Sequence, residues 1–132
     1  MTINPNTLLV IALGGKVGAV LRYLVGGWVG SSPTGFPVGT LAINFTGTLT
    51  PGTIMYLSEY NMGVSPEVRT LLTMGFLGAY TTMSTFGYES FRLLELGETK
   101  QFLLYFQATN GLVIAGIFMG KMIAQRLTGI VI

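Results

Sequence analysis

Asn44 is a hydrogen-bonding side chain in an otherwise apolar stretch. Thr40, Asn44, Gly47, Thr48 and Pro51 follow one another at intervals of four, three, one and three, so they share one face of a helix. The amide of Asn44 has two chemical uses there: it bonds a neighbouring helix, or it donates N–H to a passing anion. A second cluster, Gly75-Phe76-Leu77-Gly78-Ala79-Tyr80-Thr81-Thr82-Met83-Ser84-Thr85-Phe86, concentrates glycine and β-branched threonine inside another apolar stretch. A helix broken at such a place frees carbonyls that suit cations and N–H groups that suit anions. In an unbroken helix the same hydroxyls bond back to carbonyls, and Met83 and Phe86 face lipid or pack. Met83 and Phe86 are three apart and share a face, with Ser84 and Thr85 beside them. Gln101, Tyr105 and Thr109 recur every four residues, a stripe suited to a moving ion or to ordinary helix–helix hydrogen bonding. Asn110 lies on a neighbouring face.

Charged residues inside the apolar stretches include Lys16, Arg22, Glu89 and Arg92. Arg22 needs a partner, a watery vestibule or a snorkelling route. Lys16, in Gly14-Gly15-Lys16, faces protein or water and could attract an anion. Glu89 and Arg92 stand at i and i+3, a spacing that permits an ion pair. The chain has no Cys, His or Asp. Disulfides, Cys/His zinc sites and His-based triads are thereby excluded. No nucleophile–base pair or metal cluster remains to support an enzyme.

These residues must be held by membrane-spanning helices. Charged residues make up 9% and hydrophobic residues 50% of the 132-residue chain, and its mean hydropathy is +0.63. A soluble domain carries about 25% charged residues, so a bilayer is the solvent this composition suits. The net charge of +2 is too small to indicate nucleic-acid binding. No basic region precedes Lys16, so no cleavable signal is expected. A crossing helix needs about 20 mostly apolar residues. Leu8–Val29, Gly39–Leu57, Val68–Leu94 and Phe102–Ile123 qualify, in one domain spanning 1–132. The breakers are Ser31-Ser32-Pro33-Thr34-Gly35-Phe36-Pro37, Glu59 to Pro66, and Leu96-Gly97-Glu98-Thr99-Lys100. Ser65-Pro66-Glu67 reads as a helix start with Ser at the N-cap. Pro51 should kink its span or be accommodated locally. Glycine pairs four apart (Gly14/Gly18, Gly26/Gly30, Gly116/Gly120) suit close helix packing. Positive charge nearly balances between the two sets of loops, so the orientation bias is weak and insertion both ways is expected. A four-helix subunit leaves little room for a pore on its own axis, so transport implies an oligomer with its path near the interface.

Three of the four spans together resemble the Fluc/CrcB fluoride channels. The family pattern Gly-x-x-Gly-Ala-x-x-Arg-Tyr is met by Gly15 through Tyr23. Gly-Thr-Leu-x-(Val/Ile)-Asn-x-x-Gly is met by Gly39 through Gly47, and the Gly-Phe-x-Gly motif ending Ser-Thr-Phe by Gly75 through Phe86, with Glu89 following. The resemblance implies an all-α membrane protein of four transmembrane helices. Its third helix would be broken mid-membrane, and it would assemble as an antiparallel dual-topology homodimer in the cell's inner or plasma membrane. It implies two fluoride pores letting cytoplasmic fluoride escape passively, and a central structural Na+ on the backbone carbonyls of Gly78 and Thr81. The implied fluoride pathway runs past Asn44, Met83, Ser84, Thr85, Phe86, Tyr105 and Thr109, with Arg22, Lys16 and Glu89 in vestibule or architectural roles.

Met83 stands where the family has its first Phe; a thioether offers no positive ring edge to an anion. Val113 replaces a polar position of the track, and Lys16 is unusual for the family. Met83 keeps open a non-conducting subunit, or one that needs a paralogous partner to supply the ring. A small dual-topology cation exporter is a further alternative, for which Glu89 is the one candidate carboxylate.

Overall fold

The computed structural model describes residues 4–30, 35–60 and 62–130. Among them the chain is all-helical: α1 (Pro5–Val29), α2 (Val38–Glu59), α3 (Pro66–Thr70), a π-helical segment (Leu71–Leu77), α4 (Gly78–Tyr80), α5 (Met83–Glu95) and α6 (Thr99–Thr128). These form four rods, the third interrupted at Thr81–Thr82. The expected breakers at residues 31–34 lie outside the described residues.

Local chemistry sets the helix ends. Asn4 caps α1, its side chain accepting from the Asn6 N–H at 2.9 Å, with Pro5 opening the helix. Ser65 caps α3 as expected, accepting from the Val68 N–H at 3.3 Å ahead of Pro66. Gly97 turns the chain between α5 and α6, and Gly129 in the left-handed region ends α6. Pro51 lies inside an uninterrupted α2, so it is accommodated without a break in the helix.

Glycines set how closely the rods approach. A Cβ on Gly14 would stand 2.5 Å from the Leu71 carbonyl and 2.8 Å from the Phe76 N–H nitrogen, and one on Gly18 would strike the Phe76 carbonyl. Gly75 answers from the π segment, where a Cβ would lie 2.9 Å from the Ile11 carbonyl. α1 and the π segment therefore touch backbone to backbone. α2 and α6 do the same: a Cβ on Gly120 would meet the Leu49 carbonyl and the Thr53 nitrogen at 2.6 Å, and one on Gly116 would strike Thr48. Gly26 and Gly30 pack more loosely, with the Ile43 Cδ1 at 3.6 Å from the Gly26 position.

Two helices, α1 and α6, are long and apolar enough to cross a membrane. α2 has the length, but Thr40, Asn44, Thr46, Thr48, Thr50 and Thr53 dilute its apolar character. The third rod is divided into pieces too short to qualify singly. Little of the chain is buried in itself. Leu9, Val20, Trp28, Ile114 and Phe118 all face outward, and Tyr105 is the largest fully buried side chain. An apolar exterior of this extent needs lipid or another chain to cover it.

Candidate functional site

The break in the third rod is the centre of the site. α4 ends at Thr81 (φ −75°, ψ 157°), and Thr82 (φ −145°, ψ 108°) starts α5 in extended geometry. Such a break strands polar backbone groups. Asn44 of α2 takes up both of those on Thr82. Its Oδ1 accepts from the Thr82 N–H at 2.9 Å, and its Nδ2 donates to the Thr82 carbonyl at 3.3 Å. Thr82 then caps α5: its Oγ1 accepts from the Thr85 N–H at 3.2 Å and donates to the Thr85 hydroxyl at 2.8 Å. Gly47, one turn along α2, allows this approach, since a Cβ there would strike the Thr81 methyl.

The last carbonyls before the break lose their helical donors in consequence, those of Gly78 and Thr81 among them. The Gly78 carbonyl would accept from the Thr82 N–H in a continuous helix, and that N–H goes to Asn44. The Thr81 carbonyl would accept from the Thr85 N–H, which goes to the Thr82 hydroxyl. Thr81's own N–H and hydroxyl both turn back to the Leu77 carbonyl, at 3.0 and 2.9 Å. Gly78 is exposed and Thr81 half-buried. The break thus leaves carbonyl oxygens without helical donors at a helix end whose dipole favours positive charge.

A cavity of about 210 Å³ adjoins the break, lined by Asn44, Thr48, Thr82, Met83, Phe86 and Thr109 among others. One N–H of Asn44 serves Thr82 and the second remains for a ligand. Thr109 is buried, and its hydroxyl has no hydrogen-bond partner. Met83 is 77% exposed at the cavity mouth, whereas Phe86 is buried inside. The Phe86 ring packs at 5.2 Å from Tyr105 and 5.9 Å from Phe106, centroid to centroid.

Behind Phe86, Glu89 joins three helices. Its carboxylate accepts from the Thr40 hydroxyl at 3.0 Å and from the Tyr105 hydroxyl at 2.8 Å. The ion pair that the Glu89/Arg92 spacing permits does not form. Arg92 donates instead to Glu95 at 3.1 Å, because Glu89 points inward to α2 and α6 while Arg92 lies on the exposed side of α5.

The structure therefore brings Asn44, Met83, Phe86 and Thr109 to one cavity and sets Tyr105 and Glu89 behind it. Ser84 is exposed and lines no part of this cavity; Thr85 reaches the site through Thr82. Lys16 is exposed on α1 and Arg22 half-buried there, and neither lines the cavity. Thr82 is the site residue that the sequence reading left without a role. Its place between Thr81 and Met83 gave no local sign that its backbone, rather than its side chain, would be bound by Asn44.

Fold and cavity together define a class of small helical protein in which a largely apolar recess, with a few polar groups aimed at it, adjoins a broken helix. Residues 9–121 match the family described as CrcB-like protein, Camphor Resistance (CrcB). The chain is 50% identical over 121 residues to the fluoride-specific ion channel FluC 1 of Methanosarcina acetivorans, a match covering 92% of each chain. It is 46% identical over 120 residues to FluC 3 of Methanosarcina barkeri, covering 89% of each. With the fluoride-specific ion channel FluC of Rhizobium meliloti it shares 42% identity over 92% of this chain and 98% of that one. The chain belongs to the CrcB family. Membership displaces the cation-exporter alternative, whose one candidate carboxylate is in any case bonded to Thr40 and Tyr105.

Proposed function

We propose that this chain is the subunit of a fluoride-selective ion channel, not an enzyme, and that it lets cytoplasmic fluoride leave the cell passively. The observation that carries this reading is the Asn44 amide, fixed by Thr82 and turned to a cavity whose other buried donor, Thr109, has no partner. Fluoride is small and strongly hydrated, so a path must replace its water with donors. The second N–H of Asn44 and the hydroxyl of Thr109 supply them. The edge of Phe86 carries partial positive charge and suits an anion leaving that pair. Met83 at the mouth contributes a polarizable sulfur in place of a ring. Tyr105, bonded to Glu89, lies next along the path.

The chain is proposed to cross the cell membrane four times and to act as an antiparallel dual-topology homodimer, with lipid around it and a path on each side. The exposed apolar exterior and the weak charge asymmetry support this assembly. The carbonyls of Gly78 and Thr81 are the groups that would hold a structural Na+ between the copies. A bound Na+ supplies positive charge beside the two paths. One chain offers only this pair, and an inverted second copy presents the matching pair.

A second reading rests on Met83: a subunit that conducts only beside a paralogue supplying the ring. Fluoride efflux from liposomes that hold this polypeptide alone decides between them. Rapid efflux from wild type, abolished in Asn44→Asp because a carboxylate repels the anion, is the expected result. Vesicles that retain their fluoride until a paralogue is added would favour the second reading, and vesicles that retain it under every condition would sink both.

A further inference from the structure

Three buried side-chain oxygens among the described residues lack any hydrogen-bond partner: those of Ser90, Gln101 and Thr109. Buried polar atoms are nearly always paired, so each such exception asks for a ligand or a water. All three fall on one seam. Gln101 and Thr109 stand four residues to either side of Tyr105 on α6, and Ser90 belongs to the buried face of α5, with Phe86 and Leu93, that packs on that side of α6. Thr109 lines the cavity already described. Ser90 and Gln101 lie beyond Tyr105, toward the α5–α6 turn.

Register sets the turns that carry these two opposite one another. α5 and α6 run antiparallel around Leu96–Glu98, and the Phe86–Phe106 and Glu89–Tyr105 contacts fix their alignment. One turn further along α5, and one turn back along α6, Ser90 comes opposite the turn that carries Gln101 and Phe102. Ser90 is only 7% exposed. The Gln101 amide is oriented by Glu98, whose carboxylate accepts from Nε2 at 3.0 Å. That bond directs Oε1 inward as an acceptor, which a bare anion avoids and a water molecule seeks. A second cavity, about 140 Å³ and lined by Glu89, Arg92 and Leu93 among others, lies within a turn of Ser90, although neither Ser90 nor Gln101 lines it.

Resting on the fluoride-channel reading, we propose that Ser90 and Gln101 form a water-binding station where fluoride that has passed Tyr105 begins to regain its hydration shell. A water held there donates one O–H to Gln101 Oε1, and its second O–H is left for the anion. The Ser90 hydroxyl donates to that water or to the anion itself. Such a water has the two or more polar partners that buried waters need.

The test pairs liposome flux with a high-resolution crystal structure of the whole protein. Density for a water within hydrogen-bonding distance of both Ser90 Oγ and Gln101 Oε1 is expected. Ser90→Ala and Gln101→Leu should each slow fluoride efflux about tenfold, the scale of one lost hydrogen bond to a charged species, and Ser90→Thr should restore it. Thermal stability of Ser90→Ala should hold or rise, since no protein–protein bond is lost. Unchanged flux in both variants, a stability loss in Ser90→Ala that tracks its flux loss, or a direct Ser90–Gln101 bond with no water overturns the station. Wild-type vesicles that hold fluoride would count against the channel reading instead, and the density would still decide whether the water is there.

Discussion

Asn44 holds the fold with two atoms of its amide and leaves a third group, one N–H, for the proposed role toward the ion. The expectation from sequence left helix bonding and anion donation as alternatives. The structure uses Oδ1 and one N–H for the first and leaves one N–H for the second. Asn44→Ala should therefore cost stability as well as flux. It strands the Thr82 N–H, worth about 1–3 kcal/mol when left buried and unpaired, and removes the second bond to the Thr82 carbonyl. A thermal melt in detergent reads the loss, and a melt unchanged from wild type would show that water caps the break unaided. Tyr105→Phe removes one of the two hydroxyls on Glu89 and should destabilise by about 1–3 kcal/mol, with Thr40 retained as partner. Equal melting temperatures would mean that Glu89 draws its support elsewhere. Met83→Phe touches little of its own chain, since Met83 is exposed. Fluoride efflux should hold or rise, and a silent Met83→Phe channel would assign the thioether a task of its own.

At the scale of elements, the third rod is broken because its polar groups have somewhere else to go. Thr82 finds Asn44, Thr85 finds Thr82, and the Leu77 carbonyl receives both donors of Thr81. Glycine and threonine between Gly75 and Thr85 marked the place, but the same residues allow a continuous helix with hydroxyls bonded back. The π segment just before the break had no sign in the sequence, because a widened turn depends on what packs against it. Here that is the Gly14/Gly18 face of α1. Gly18→Leu should drive α1 off Phe76 and prevent the break from forming, at a cost of about 1–3 kcal/mol or more. Loss of monodisperse protein on gel filtration reads this, with Gly27→Leu as the control, because nothing stands within 4 Å of a Cβ at Gly27. Equal behaviour of the two variants would mean that the backbone contact at Gly18 is dispensable.

The whole molecule has an exterior that one chain cannot hide. Outward apolar residues run along α1, α5 and α6, while Gly78 at the break is exposed as well. Lipid suits the former and only another polar surface suits the carbonyl of the latter, which is the physical basis for placing an inverted copy against the break. The chain lacks cysteine, so a single cysteine can report orientation cleanly. With Arg126→Cys in the last turn of α6, a membrane-impermeant maleimide should label part of the population from each side of sealed membrane vesicles. Labelling from one side alone would rule out dual topology.

Composition and hydropathy sufficed for the helical class, the four rods and the polar positions on them, and resemblance of three motifs for the family, because each depends on residue type and on spacing along one helix. The Ser65 cap and the close glycine pairs at Gly14/Gly18 and Gly116/Gly120 were legible for the same reason. Partners across helices were not. Asn44 meets Thr82 across 38 residues, and Thr40 meets Glu89 across 49. Those contacts depend on how far each rod is rotated and slid against its neighbour, which no local pattern encodes. Arg92 shows the difference: spacing allowed Glu89 and Glu95 equally, and the inward rotation of α5 gave Glu89 to Thr40 and Tyr105 and left Glu95 for the arginine.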